Sequence, residues 1–232
     1  MAKGIIYVMT TVVDGLIKIG KTGCDNFNQK MIILESNGYR NVSGLKRQFA
    51  IEVEDYDEKE ALLDSLFSRS RVSNTELFSL NVNEVIQLLS SFEGKVVYPT
   101  QDNKSEIFET ATDAVESLAI PDGAYSLALR PRGADRQVQA SMVVKDGKMI
   151  VLKGAVLGNV TNITQNSLRE FRSRLRESNG ITLEDFAATS PSMAATIITG
   201  RNSNGWKTWK NANGEYIDVY RQTLSTNKND QD

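Results

Sequence analysis

Two short apolar segments flank an Asp-Gly pair near the start of the 232-residue chain, and this pattern predicts a β-hairpin. Residues 4–9 and 16–20 form the strands, with Asp14 and Gly15 in the turn. Alternating apolar and polar residues predict a third strand at 46–54, and helical spacing predicts helices at 27–36, 57–68 and 82–92. In the second helix we expect Asp57 as N-cap and a buried stripe of four apolar residues, Leu62, Leu63, Leu66 and Phe67. The first 98 residues are thus expected to form a small α+β domain.

The second half of the chain predicts another small α+β domain after a polar linker at residues 99–105. Strands are expected near 124–130, 138–144 and 148–153, with a hairpin turn at Asp146-Gly147. Helices are expected at 165–177 and 191–199, the latter with a Ser190 cap and a Gly200 stop. This domain covers residues 106–222, and we expect a disordered polar tail at 223–232.

The chain contains no histidine and a single cysteine, Cys24. Ser-His-Asp and Cys-His catalysis and His-ligated zinc are therefore excluded, and acid-base chemistry falls to Tyr, Lys, Glu, Asp or metal-bound water. The net charge of −2 excludes a wholly basic nucleic-acid binder but allows a local basic patch. The sequence has no signal-peptide pattern and no apolar stretch of membrane-spanning length, so we expect a cytoplasmic protein.

The first hairpin holds the residues with the clearest chemical potential. It reads G-I-I-Y at 4–7 and I-K-I-G at 17–20, followed by Lys21, while predicted helices bear Lys30 and Glu60. Tyr, Lys and a helical Glu suit phosphodiester hydrolysis without histidine. A carboxylate holds a divalent cation, and Tyr or Lys acts as a general base. Each residue also has a plain structural explanation: Tyr7 as a core aromatic, Lys18 as a solvated strand residue and Glu60 as one charge on an exposed helix face.

Residues 3–98 resemble the GIY-YIG nuclease superfamily, in the phage and bacterial branch whose second motif reads K-I-G. The resemblance implies an antiparallel sheet flanked by helices and catalytic positions at Tyr7, Lys18, Lys30 and Glu60. Glu60 is the implied ligand of one Mg²⁺ or Mn²⁺ ion. Gly20 matches the motif glycine, and Glu76 matches an acidic residue that precedes an aromatic position. Asn74 lies near the position of a phosphate-contacting Asn of the family. We also expect Lys21, which follows the second motif, to contact phosphate.

Lys30 departs from the family, which has Arg at this position. Arg holds phosphate with a planar fork, whereas Lys is a point charge on a flexible stem. If this residue stabilises the transition state, the substitution is expected to slow catalysis by roughly 10²–10³-fold. The sequence therefore leaves open a catalytically impaired module that binds nucleic acid or acts as a scaffold.

Residues 186–209 are similar to an uncharacterised C-terminal domain that is often joined to nuclease or restriction modules. Trp206 and Trp209 are interpreted as either core residues or a stacking platform, with Arg201 and Lys207 as nearby nucleic-acid contacts. In the helix predicted at 165–177, three arginines share one face, which either docks a phosphate backbone or is simply solvated; they are Arg169, Arg172 and Arg176.

These observations lead us to expect a divalent-metal-dependent DNA endonuclease, with a role in phage defence or restriction. DNA is the expected partner, together with either a second copy of the chain or a protein of a defence complex. The alternative is the impaired GIY-YIG-type module.

Overall fold

A computed structural model describes residues 2–100, 102–130 and 136–221 of the chain. The tail expected at 223–232 lies outside the described residues. The chain divides into two compact units, Met1–Thr112 and Asp113–Asp232. Both units combine antiparallel sheets with helices, so the expected α+β class is confirmed. Within the described residues, no helix has the length and apolar character needed to cross a membrane.

The first unit is built around a five-stranded antiparallel sheet in the order β4-β2-β1-β3-β5. Its strands are β1 (Lys3–Thr10), β2 (Leu16–Thr22), β3 (Lys46–Glu54), β4 (Leu77–Ser79) and β5 (Lys95–Tyr98). Its helices are α1 (Phe27–Asn37), α2 (Tyr56–Leu66), α3 (Val82–Ser91) and α4 (Lys104–Glu116). The boundary between the units lies within α4, whereas the sequence suggested a linker at 99–105.

Alternation along the strands gives this sheet two buried faces. One face carries Ile17 and Ile19 and packs against Leu63 of α2 and Val85 of α3. The opposite face packs against α1 and the loop that follows it; its core contains Ile5, Tyr7, Met9, Phe27, Met31, Leu34, Leu45 and Ala50. Because the central strands are covered on both sides, a polar side chain on either face is shielded from water.

The apolar stripe expected on α2 is correct for two of its four residues, Leu63 and Phe67, and wrong for Leu62 and Leu66. Leu63 is buried, but Leu62 and Leu66 are each 59% exposed. The helix is oriented so that Tyr56, Leu63 and Phe67 pack against the sheet core. The other two leucines therefore point outward. The helix also begins one residue before Asp57, and its N-cap position is Asp55, in the left-handed region at φ 49°.

The second unit contains a four-stranded antiparallel sheet and a two-stranded ribbon, which are linked through β-bridges of Val156. The sheet runs in the order β11-β8-β7-β6, with β6 (Gly123–Leu129), β7 (Val138–Lys145), β8 (Lys148–Val151) and β11 (Phe186–Ala188). The ribbon pairs β9 (Glu177–Ser178) with β10 (Ile181–Thr182), and the helices are α5 (Asn166–Arg174) and α6 (Pro191–Thr199).

Local sequence signals in this unit match the structure. Asp146 and Gly147 have φ values of 50° and 71° and connect β7 to β8. The Ser190 hydroxyl accepts a hydrogen bond from the Met193 amide at the start of α6, and Gly200 ends that helix at φ 72°. The expected hairpin turn, helix cap and helix stop are therefore confirmed.

Candidate active site

Tyr7, Lys18 and Gly20 meet on one face of the first hairpin. Strands β1 and β2 pair antiparallel with Tyr7 opposite Gly20 and Met9 opposite Lys18. A β-carbon on Gly20 would lie 2.6 Å from Tyr7 Oη and 3.2 Å from Lys18 Nζ. The missing side chain of Gly20 therefore provides the space in which the phenol and the amine approach each other.

Lys18 is buried rather than solvated. Its side chain is only 1% exposed, and its amine forms an ion pair with Glu76, whose side chain is 45% exposed. The Lys18 Nζ atom lies 4.2 Å from the ring centre of Tyr39 and 5.6 Å from that of Tyr7. A lysine amine is thus enclosed between two aromatic rings and a carboxylate.

The surroundings of Lys18 and Tyr7 change their acid-base properties in opposite senses. Burial, assisted by the positive charge of Lys30, lowers the pKa of Lys18, although the hydrogen bond to Glu76 acts against this shift. Burial, together with the negative charges of Glu76 and Glu60, raises the pKa of Tyr7. At neutral pH Tyr7 is therefore protonated and can donate a hydrogen bond. Deprotonation of Lys18 requires less free energy than deprotonation of an ordinary lysine.

Glu60 is held by a lysine of the neighbouring strand. Lys21 Nζ lies 2.7 Å from Glu60 Oε2 and 2.5 Å from Asp57 Oδ1. The hydrogen bond to Asp57, followed by that to Glu60, raises the pKa of Lys21, which therefore remains protonated. The charge of Glu60 acts on both Tyr7 and Lys18, so this carboxylate belongs electrostatically to the same site.

Glu60 could hold a metal ion only as a single carboxylate ligand, with water and substrate as the other ligands. Within the described residues, no three carboxylate or cysteine side chains are grouped so that they could enclose a metal. A single carboxylate fits Mg²⁺, which commonly keeps several waters and binds one or two carboxylates together with substrate phosphates. The residues present thus fit a metal ion whose coordination is completed by water and substrate. They do not fit a structural metal ion that is enclosed by protein ligands alone.

Lys30 and Asn74 are both exposed to solvent. Lys30 is an exposed residue of α1, and its charge acts on Lys18. Asn74 is exposed and adopts φ 54°, in a turn closed by a 3.1 Å hydrogen bond from the Thr75 amide to the Val72 carbonyl. Asn tolerates this left-handed conformation better than most residues, which gives Asn74 a structural reason to occupy the turn.

The sequence did not single out Tyr39, which is a central contact of the site. The Tyr39 hydroxyl accepts a 3.3 Å hydrogen bond from the Glu76 amide, while its ring lies against Lys18. The Ile19 amide also donates to the Glu76 carbonyl at 3.2 Å, which fixes Glu76 at the edge of β2. Tyr39 follows the helix stop Gly38, and no local motif identifies a tyrosine there as part of a site.

The arginine face predicted for the helix at 165–177 is wrong for Arg176. Helix α5 ends at Arg174 because Leu175 adopts an extended backbone, and the chain then enters the β9–β10 ribbon. Asn179 and Gly180, at φ 52° and 71°, form the turn of this ribbon. Arg176 lies beyond the helix and pairs with Glu184 at 3.6 Å. Arg172 is 9% exposed rather than solvated, and only Arg169 is an exposed arginine of the predicted face on α5.

Trp206 and Trp209 are core residues rather than a stacking platform. They are 1% and 0% exposed. Trp206 Nε1 donates to Asp113 Oδ1 at 2.5 Å, and Trp209 Nε1 donates to the Pro191 carbonyl at 3.1 Å. Lys207 is exposed and Arg201 is partly exposed, but a tryptophan ring that is buried in the core cannot offer its face to a base.

Comparison with known proteins supports only the second half of the resemblance. Residues 132–221 match the model of a family described as "Domain of unknown function (DUF4357)". This match is consistent with the uncharacterised C-terminal domain expected from the sequence. No curated protein and no solved structure matches the chain. The resemblance of residues 3–98 to GIY-YIG nucleases stays a prediction.

Proposed function

We propose that the first unit is a divalent-metal-dependent DNA endonuclease of the GIY-YIG type. The observation that carries this proposal is the buried amine of Lys18, which lies beside the Tyr7 phenol above Gly20 and has a lowered pKa. A chain without histidine needs another proton acceptor, and a lysine whose pKa is lowered by burial gives up its proton more readily than an exposed lysine does.

Lys18 and Tyr7 take separate roles in the proposed reaction. The neutral Lys18 amine accepts a proton from the attacking water as the new P–O bond forms. The bond to the leaving oxygen breaks, and that oxygen departs as an alkoxide that takes a proton from solvent. The resulting ammonium is paired with Glu76, which limits the cost of forming a charge in a buried position. Tyr7, whose raised pKa keeps it protonated, donates a hydrogen bond that orients the water or the phosphate.

Glu60 is the residue that would hold Mg²⁺ or Mn²⁺. The bound ion would offset negative charge on the phosphate and lower the pKa of water. Lys21 and Lys30 bind the scissile phosphate in this proposal. Because Lys21 is paired with Glu60 at 2.7 Å, the two side chains would separate when the carboxylate takes up the ion and the lysine takes up the phosphate.

The alternative is a catalytically impaired module that binds nucleic acid or acts as a scaffold. Two observations favour it: Lys30 stands where the family has Arg, and Glu60 is already neutralised by Lys21. Loss of the planar Arg fork removes bidentate contact with the phosphate but retains the charge. Binding is then preserved while hydrolysis is slow.

Conversion of supercoiled plasmid to nicked circles, with Mg²⁺ or Mn²⁺, tests the proposal. The wild type is expected to nick, and Glu60→Gln and Tyr7→Phe are each expected to slow nicking by roughly 10²–10³-fold. Glu58→Gln is the matched control, because Glu58 is an exposed carboxylate on the same helix. If neither the wild type nor Lys30→Arg nicks, the nuclease proposal is wrong. DNA binding without nicking, with activity gained in Lys30→Arg, identifies the impaired module.

The second unit is proposed to supply further contacts to DNA or to a partner, through residues such as Arg201 and Lys207. We propose that the protein acts in the cytoplasm and that its role is phage defence or restriction. We also propose that it assembles with either a second copy of the chain or a protein of a defence complex. Size-exclusion chromatography with light scattering tests assembly, and a strictly monomeric protein that joins no larger complex contradicts it.

A further inference from the structure

A cleft in the second unit brings together three arginines. Arg136 precedes β7, while Arg169 and Arg172 lie on α5. The cleft has a volume of about 470 Å³, and its walls include the segment 158–160 and Gly180. Glu177 is the acidic residue of this lining, so three arginines and one glutamate leave a charge of +2 around the cleft.

Arg172 is the most deeply placed charge of this cleft. It is 9% exposed, and its Nη1 atom lies 3.1 Å from Glu177 Oε2, while Nη2 donates to the Gly158 carbonyl at 3.5 Å. Among the described residues, none accepts a hydrogen bond from its buried Nε. A buried donor of a charged group without an acceptor destabilises the fold, so a missing acceptor is a natural explanation for this arrangement.

Arg136 is held in place by the turn that connects β9 and β10. Its Nη1 atom donates to the Asn179 carbonyl at 2.8 Å. Gly180 allows this approach, because a β-carbon there would lie only 1.7 Å from Arg136 Nη2. The turn thus fixes the guanidinium group against the backbone, which reduces the entropy that binding would cost.

Arg169 lies at the exposed rim of the cleft and is oriented by its own helix. One of its terminal nitrogens donates to the Thr164 carbonyl at 3.1 Å and to Asn166 Oδ1 at 2.6 Å. The three guanidinium groups therefore lie at different depths in the cleft. Each is held by hydrogen bonds from some of its N–H groups to protein acceptors. Planar guanidinium groups that converge in this way are suited to oxyanions, and above all to phosphate.

We propose that this cleft binds a phosphate group, with Arg136 and Arg169 at its sides and Arg172 at its base. A phosphate oxygen in the cleft, after a small shift of the Arg172 side chain, provides the acceptor that Nε lacks. The phosphate belongs to either a nucleic-acid backbone or a small phosphorylated molecule, since both present the same oxyanion. The proposal concerns the second unit alone and does not require nuclease activity.

The test measures binding by the full-length protein in EDTA, so that metal-dependent cleavage does not contribute. One arm follows the fluorescence anisotropy of a labelled 20-base-pair DNA duplex over a range of salt concentrations, and the other follows inorganic phosphate by titration calorimetry. The variants are Arg136→Ala, Arg169→Ala and Arg172→Lys. Arg174→Ala is the matched control, because Arg174 is 75% exposed on the same helix and pairs with Glu170.

If the ligand is nucleic acid, Arg136→Ala and Arg169→Ala each weaken duplex binding by about tenfold. Each also reduces the slope of log K against log salt by about 1, since one phosphate contact is lost. Arg172→Lys, which keeps the charge but removes Nε–H, weakens binding as well, with folding checked by circular dichroism. Arg174→Ala leaves affinity and slope unchanged.

If the ligand is a small phosphorylated molecule, inorganic phosphate binds to the wild type and to Arg174→Ala but not to the three cleft variants, while duplex affinity does not change. The proposal is overturned if the cleft variants alter neither ligand's affinity, or if Arg174→Ala has the same effect as they do. Neither overturning result bears on plasmid nicking, so this proposal and the nuclease proposal fail independently.

Discussion

Replacement of Gly20 by alanine directly perturbs the contact between Tyr7 and Lys18. The new β-carbon would lie 2.6 Å from Tyr7 Oη and 2.8 Å from Cζ, so the ring must move away by ~0.8 Å to reach ordinary contact. Tyr7 is 1% exposed and packs within a buried apolar cluster, so its ring is enclosed by the core. Overpacking of this kind costs about 1–3 kcal/mol of unfolding free energy. A displacement of nearly 1 Å at reacting groups is expected to slow nicking by roughly 100-fold.

Urea unfolding and plasmid nicking measure the two consequences of Gly20→Ala. Gly23→Ala is the control, because Gly23 has φ −66° and its added carbon would approach nothing closer than 3.9 Å. Tyr7→Phe removes the hydroxyl oxygen, the atom nearest to the new β-carbon. In that background, Gly20→Ala should therefore lower the free energy of unfolding by at least about 0.5 kcal/mol less than it does in the wild type. The reasoning is refuted if Gly20→Ala unfolds and nicks like Gly23→Ala, or if the two substitutions are strictly additive.

Three further outcomes follow from single contacts. Lys18→Met should stabilise the protein at neutral pH by about 1 kcal/mol in urea unfolding, because the buried ammonium is removed while the half-exposed Glu76 remains hydrated. This gain should shrink as the pH rises, since a lowered pKa means that folded Lys18 loses its proton before the unfolded chain does; a destabilised Lys18→Met protein would contradict this. Lys30→Arg should speed plasmid nicking by roughly 10²–10³-fold by restoring bidentate phosphate contact, and an unchanged rate would remove Lys30 from the site. Asp113→Ala should lower thermal stability by about 1–3 kcal/mol, because Trp206 Nε1 loses its acceptor, and calorimetry that shows no change would contradict this role.

Elements with local signals could be predicted from the sequence. The hairpin turns at Asp14-Gly15 and Asp146-Gly147 contain glycines at positive φ. Helix α6 begins after the Ser190 cap and ends at Gly200, as its capping residues predict. Each of these features depends on the conformational preferences of a few neighbouring residues, which the sequence displays directly.

Features that depend on distant residues could not be predicted in this way. Strand alternation placed Lys18 opposite Ile17 and Ile19, but it did not show that Tyr39, 21 residues further along the chain, covers that face. Strands β4 and β5 contain only 3 and 4 residues, too few for a periodic pattern, and were missed. The end of α5 was also missed, although the Asn179-Gly180 pair was a readable hairpin signal.

The candidate site was predictable in its residue types but not in its pairing. Tyr7, Lys18 and Glu60 were predicted from their residue types and from the resemblance of their motifs to the GIY-YIG superfamily. The ion pair of Lys18 with Glu76 and that of Lys21 with Glu60 join segments far apart in the chain. Such pairs are set by how strands and helices pack together, which composition and spacing do not encode.

The pH dependence of plasmid nicking tests the central claim, that Lys18 acts as the proton acceptor, most directly. With Mg²⁺ present, the wild-type rate should rise with pH and level off below about 10.4, the ordinary lysine value, because burial lowers the pKa of Lys18. Lys18→Arg, which stays protonated throughout, should lose both the rise and the activity. A wild-type rate that does not change with pH, or a Lys18→Arg profile that matches the wild type, would contradict the account.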